Sequence, residues 1–314
     1  MYNYIVQNGD FDLQDDILIF KGRVDEVKDV LTGEIRNNKL YGEILFSESF
    51  KAGRISFNVT FSDVCEETRC GVLFGYSNET GTIKCHQAGI RNSFGGYSLD
   101  YYNGANWEFL IANGSNNSIK AHQKYEIAIE TAGNVVKLYI NDVLVFTYSK
   151  MIHNDGLCGI YICNNSKAEI ESIKIDAKKP KAFAIMKYEK DFDELYHDVI
   201  SPVCENAGYC SVRADECYTT SMIIQDIIRE ISEAAIIISD ITMDNPNVFY
   251  ELGYAHALNK PTILLADAEK RQRLPFDVNG YRTIFYSNSI GGKKEVETNL
   301  KKFLDNISPK MQIY

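Results

Sequence analysis

The chain has 314 residues, 45% hydrophobic and 24% charged, which is enough apolar material for about two separately cored domains. A formal charge of −10 argues against nucleic acid or an anionic membrane as the main partner, and no run of Lys and Arg marks a local basic patch. The opening MYNYIVQNGDFDLQDD lacks the basic region and apolar core of a signal peptide, and no stretch approaches the ~18 apolar residues of a membrane span, so a cytoplasmic protein is expected.

Residues 1–177 read as strands. RISFNVTF (54–61), GVLFGY (71–76), YEIAIET (125–131), VVKLYIN (135–141) and AEIESIKI (168–175) alternate or run apolar over strand lengths. Turn signals at Asn103-Gly104, Gly133-Asn134, Asn141-Asp142 and Asn164-Asn165 separate them, and no helical period exceeds two turns. Many short strands with regular turns predict an all-β sandwich. The succession KLYINDVLVFTY, GLCGIYICNN, AEIESIKI resembles the end of a concanavalin-like (laminin-G or glucanase-like) jelly roll. Such sandwiches often bind glycans, so a carbohydrate is a candidate ligand for this half.

The segment GGYSLDYYNGANWEF (95–109) gathers Tyr97, Tyr101, Tyr102 and the only tryptophan, Trp107. Either these rings form a stacking platform or a hairpin turns them into the core. Tyr97, Leu99 and Tyr101 share one face at period two, as core residues do. A glucanase would need paired carboxylates on one strand face, in an ExDxxE-like pattern, and none occurs, so this half is expected to be non-catalytic. The eight cysteines form no CxxC pair, and Cys85-His86 has no second ligand pair, so free thiols and no metal site are expected.

DAKKPK (176–181) reads as a linker, and the pattern then changes to alternating strands and helices over 181–314. KAFAIMK (181–187) is a strand, followed by a helix from DFDELYHDVI and a strand YCSVRA (209–214). The helix SMIIQDIIREISEA (221–234), capped by Thr219, Thr220 or Ser221, leads into the buried strand AIIISD (235–240). NPNVFYELGYAHALNKPTILL (245–265) supplies a helix and the start of PTILLA (261–266), and RTIFYS (282–287) and KKEVETNLKKFLDNI (293–307) complete the run. Five βα units predict a three-layer, flavodoxin-like parallel sheet of order 2-1-3-4-5, whose ligand crevice lies beyond the carboxyl ends of its first and third strands.

Met186, Lys187 and Tyr188 follow the first of these strands, Ser239 and Asp240 end the third, and Arg213 and Asp215 close the second nearby. Asn245 and Pro246 start the next helix as N-cap and first residue, with Asn247 in its first turn. At 100° per residue Val248, Leu252 and Ala255 form its inner stripe, flanked by Leu258. Glu251 falls between Ala255 and Leu258 in angle, and so faces inward or into the crevice. It is either a structural carboxylate satisfied by Arg213 or a tyrosine, or an ionised group aimed at a ligand.

FAIMKY, VRADE, IIISDIT, NPNVFYELGYAHALNKPTILL and LPFDVNGYRTIFY together resemble the TIR-like, nucleoside 2-deoxyribosyltransferase-like superfamily over about residues 181–290. The resemblance implies cleavage of the N-glycosidic bond of a nucleoside or of NAD, with Glu251 in YELGYA as the catalytic carboxylate. It implies that Asp240 holds ribose hydroxyls or orients the leaving base, with Met186, Lys187, Tyr188, Arg213, Asp215, Ser239, Asn245 and Asn247 around the substrate. In the transferases an acidic residue commonly lies six positions before the catalytic Glu; here that position is Asn245, beside Asp244. The expected activity is an N-glycosidase without a cofactor, NAD being a substrate, in the manner of bacterial stress or antiviral defence effectors. A homo-oligomer is expected, because Tyr250 and Tyr254 flank the Glu251 helix and related domains complete their crevices with neighbouring subunits. The alternative is a module that binds a nucleotide signal without cleaving it, coupled to a ligand-binding sandwich.

Overall fold

The structure, a computed structural model, describes residues 2–22, 24–28, 35–39, 41–79, 81–93, 95–150, 156–216 and 223–307. Cys217 and the proposed helix caps Thr219, Thr220 and Ser221 lie outside them. The chain divides into two compact units, the second taking in the described residues from Lys179 onward together with two short stretches, 132–135 and 149–150.

The first unit is a jelly-roll-like pair of antiparallel sheets. One runs β1 (Tyr4–Asn8), β6 (Tyr41–Ser49), β15 (Leu157–Cys163), β8 (Arg69–Glu79), β9 (Thr82–Arg91), β10 (Gly96–Tyr102) and β11 (Trp107–Asn113). The other runs β14 (Val143–Tyr148), β13 (Val135–Ile140), β12 (Lys124–Ala132), β7 (Gly53–Phe61), β16 (Ala168–Ala177), β3 (Ile17–Phe20) and β2 (Phe11–Gln14), and β4 (Val24–Lys28) pairs with β5 (Ile35–Lys39) as a ribbon. Alternate residues Ile55, Phe57, Val59 and Phe61 of β7 are buried, as are Ile44 and Phe46 of β6. This is the period-two burial of two sheets facing one core. Of the seven described cysteines, all free, only Cys210 is exposed.

The second unit holds a parallel sheet of β18 (Cys210–Arg213), β17 (Lys181–Ile185), β19 (Ala234–Asp240), β20 (Thr262–Asp267) and β21 (Thr283–Tyr286), in that order. This is the expected order 2-1-3-4-5. α1 (Lys190–Leu195), a π-helical turn (Tyr196–Ile200), α2 (Ser201–Asn206) and α5 (Ile290–Ile307) cover one face. α3 (Ile223–Glu233) and α4 (Pro246–Ala257) cover the other. Strand β19 serves both layers: Ile236 and Ile238 enter the first core, while Ile237 and, just past the strand, Ile241 enter the second. A strand buried on both faces reads as a continuous apolar run, which is what AIIIS is. Among the described residues no helix is long and apolar enough to cross a membrane, and no cluster of three His, Cys, Asp or Glu side chains is placed to hold a metal ion.

Candidate functional site

Strand order reverses between β17 and β19, so their carboxyl ends, Ile185 and Asp240, flank a switch-point crevice. Helix α4 begins at this edge. The Asn245 side chain accepts from the amides of Asn247 (2.9 Å) and Val248 (3.5 Å), and Pro246 takes the first helical position. Val248, Leu252 and Ala255 are buried as the inner stripe, and Glu251 is buried with them at 8% exposure. No described residue gives its carboxylate a hydrogen bond or an ion pair. Burial alone pushes its pKa up to about 7. Ser239 pairs in register with Ile185, which packs in the α3–α4 core, so Ser239 faces the same layer as Glu251. Its buried hydroxyl also has no partner among the described residues.

The remaining candidates lie elsewhere. Asp240 faces the opposite layer, where its Oδ2 accepts from the Tyr286 hydroxyl (2.7 Å) and its Oδ1 from the Thr242 amide (2.9 Å). Burial pushes its carboxyl up, partly offset by those bonds. Alternation along β19 thus separates Asp240 from Glu251, and through these bonds Asp240 ties β19 to β21.

Arg213 likewise does not satisfy Glu251. Its Nε and Nη2 donate to Asp215 (2.6 Å each), and its Nη1 donates to Asp193 (2.8 Å) and approaches the Met186 sulfur (3.9 Å). The guanidinium lies 4.8 Å from the centroid of the Tyr196 ring and 5.4 Å from that of Tyr188. Lys187 pairs with Glu189 at 2.5 Å, Asn247 is exposed, and the Asn245 oxygen is occupied as a cap. Asp193 was not singled out from the sequence. It sits on α1, twenty positions before Arg213, and only the packing of α1 beside β18 brings them together.

In the sandwich Tyr97, Tyr101, Tyr102 and Trp107 separate by face. Tyr97, Leu99 and Tyr101 point one way along β10, with Leu99 fully buried and Tyr101 stacked on His86 at 4.7 Å. Ser98, Asp100 and Tyr102 point the other way, and Tyr102 meets Trp107 at 5.2 Å. Trp107 in turn reaches Tyr161 at 5.8 Å, and Tyr161 stacks on Tyr41. Strands β11 and β15 are four strand spacings apart, about 19 Å on a flat sheet. A ring contact across that span requires a strongly curved sheet with its outer face concave.

Buried polar groups lie on the same face. Asp100 pairs with Arg91 at 2.8 Å and accepts from Ser98 at 2.7 Å, beside buried Gln87. The floor is Gly71 opposite Gly89, where a Cβ on Gly89 would stand 2.2 Å from the Cys70 carbonyl oxygen. Trp107, Phe109 and Tyr41 remain exposed at the rim.

The chain matches no family model and no curated protein. Among solved structures it is similar to the carbohydrate-binding module CBM66 from Bacillus subtilis, with 14% identity over 55% of this chain and 94% of that one and a TM-score of 0.44. It is similar also to a galectin-like protein of unknown function from Bacillus subtilis (12% identity, 55% and 87% covered, TM-score 0.40). A third is the laminarinase catalytic domain from Thermotoga maritima (12% identity, 53% and 80% covered, TM-score 0.39). At such identities and TM-scores no ligand or activity transfers from them to this chain.

Proposed function

We propose that the α/β unit is an N-glycosidase that cleaves the ribose–base bond of a nucleoside or nucleotide, NAD among them, with Glu251 as its catalytic carboxylate. The observation that carries this is the buried, unpartnered carboxylate of Glu251 on α4, beside the switch-point crevice. A structural glutamate at such a place acquires a partner, because an unpaired buried charge costs several kcal/mol. The motif NPNVFYELGYAHAL supports the same reading by its resemblance to nucleoside-processing domains. As the bond breaks, the base leaves with the bonding electrons and C1′ becomes cationic. The ionised Glu251 stabilises that charge or attacks C1′, and water then supplies the hydroxyl that completes the free sugar. Because the working form is the carboxylate, kcat/KM is expected to rise with pH through about 7, and a profile flat from pH 5 to 9 would contradict the role.

Self-association belongs to this reading. Tyr250 is 58% exposed on α4, one residue before Glu251. Light scattering is expected to give a mass above that of one chain, and a strict monomer at every working concentration would remove this element.

A second reading concerns the sandwich: its concave face binds an oligosaccharide. Exposed Trp107 and Phe109 rim the face that carries buried Asp100 paired with half-buried Arg91, an apolar platform beside fixed polar groups. Trp107→Ala is expected to weaken binding of whichever member of a panel of neutral and acidic oligosaccharides the protein retains, by about tenfold or more. Unchanged affinity in calorimetry would move the ligand off this face.

A further inference from the structure

On the reading that the sandwich's concave face holds an oligosaccharide, we propose that the ligand is acidic: Arg69 binds a carboxylate or sulfate on the sugar, and Gln87 binds an adjoining hydroxyl. Arg69 on β8 and Arg91 on β9 stand directly opposite each other, so both side chains leave the sheet on the same outer face. Like charges so placed destabilise a sheet. Asp100 on β10 pairs with Arg91 at 2.8 Å. Arg69 is half-buried and has no hydrogen bond or ion pair among the described residues. Glu43, a further acid of this face, lies on β6, two strands from β8 across Tyr161 of β15, and makes no described ion pair with Arg69. Burial pulls the Arg91 pKa down and the charge of Arg69 pulls it further, against the raising field of Asp100. In a chain of formal charge −10, this cluster has one more guanidinium than carboxylate.

A second group points to a ligand independently. Gln87 on β9 is 2% exposed, yet no described residue hydrogen-bonds its side-chain amide. The amide lies along the face toward Gly71, where a Cβ would stand 2.9 Å from its Nε2. Gly71 and Arg69 are two residues apart on β8, so the amide sits about 7 Å from the base of the Arg69 side chain, the span of a sugar ring. A buried amide without a partner is costly, and a ligand hydroxyl that bonds it removes that cost. The guanidinium offers a planar fork that fits a carboxylate or a sulfate. Trp107 and Phe109 at the rim supply the apolar surface for the rest of the ligand.

The test titrates the 314-residue chain with trigalacturonate, a sulfated galactose trisaccharide and neutral galactotriose, by calorimetry at low salt. At least one acidic sugar is expected to bind about tenfold or more tightly than the neutral one, the scale of a charge-assisted hydrogen bond. That advantage is expected to shrink as salt is raised, and the uronate and sulfate arms tell which acid the site takes. Arg69→Gln is expected to abolish the preference, while Arg69→Lys keeps part of it. Gln87→Leu is expected to weaken acidic and neutral sugars alike. Without ligand, Arg69→Gln is expected to melt no lower than the wild type, because it relieves the repulsion on Arg91. The proposal is overturned if the neutral sugar binds as tightly as both acidic ones, if the preference survives Arg69→Gln, or if no acidic sugar binds. A melting loss in Arg69→Gln that Arg69→Lys restores also overturns it, since Arg69 would then have its acid within the chain. The two readings fail separately. Equal affinity for acidic and neutral sugars, lost in Trp107→Ala, sinks the acid alone, whereas affinity unmoved by both Trp107→Ala and Arg69→Gln takes the ligand off this face.

Discussion

Glu251→Gln is expected to lower base release at least ~100-fold, the scale of losing one fixed group that stabilises transition-state charge. The substitution keeps the shape, the helical propensity and the inner stripe of Val248, Leu252 and Ala255. It removes only the charge. Because Arg213 bonds Asp193 and Asp215 and makes no described contact with Glu251, the loss cannot be attributed to a broken Glu251–Arg213 pair. KM is expected to move less than kcat, since the developing cation at C1′ exists only in the transition state. A variant with full turnover would make Glu251 a bystander.

The same variant is expected to melt higher than the wild type at pH 8 and close to it at pH 5. Burial raises the folded-state pKa of Glu251 from the ordinary 4.5 to about 7. Between those values the folded chain holds a proton that the unfolded chain has released, so wild-type stability falls as pH rises through that window. Above pH 7 the whole cost is present, on the order of 3 kcal/mol, and below about 4.5 it vanishes. Glutamine carries none of it. A Gln variant less stable at pH 8 would mean that the carboxylate has a stabilising partner, the reverse of what the packing of α4 shows.

Much of the α/β unit was legible in the sequence because each of its elements carries its own period. AIIISD is the kind of apolar run a strand buried on both faces shows, and the helical angles of NPNVFYELGYAHA put Glu251 between Ala255 and Leu258, facing inward or into the crevice. The edges were legible to within a few residues, as in the closing helix, expected over 293–307 and found over Ile290–Ile307. The sandwich was less legible where both faces of a strand are covered. Strand β9, TIKCHQAGIR, shows no alternation because His86 is buried against Phe74 and Tyr101 on one face while Gln87 is buried under the concave groove on the other.

Local pattern could not supply long-range partners. Period two separates Tyr101 from Tyr102, but nothing near Trp107 announces Tyr161, which reaches it only because the sheet curls. Arg213 bonds Asp215, two positions on, and Asp193 on α1, a partner that no local pattern announces. The partner of Asp240 was hidden in the same way: Tyr286, two strands away across the sheet, donates to its Oδ2.

The most direct measurement is the release of free base. The purified 314-residue chain is incubated with NAD and a panel of nucleosides at a pH above 7, where Glu251 is ionised, and the products are separated chromatographically. The account expects at least one substrate to yield free base and the matching sugar product in equal amounts, with the signal lost in Glu251→Gln. No free base from any of them, with binding retained, would contradict catalysis and leave a nucleotide-binding module in its place.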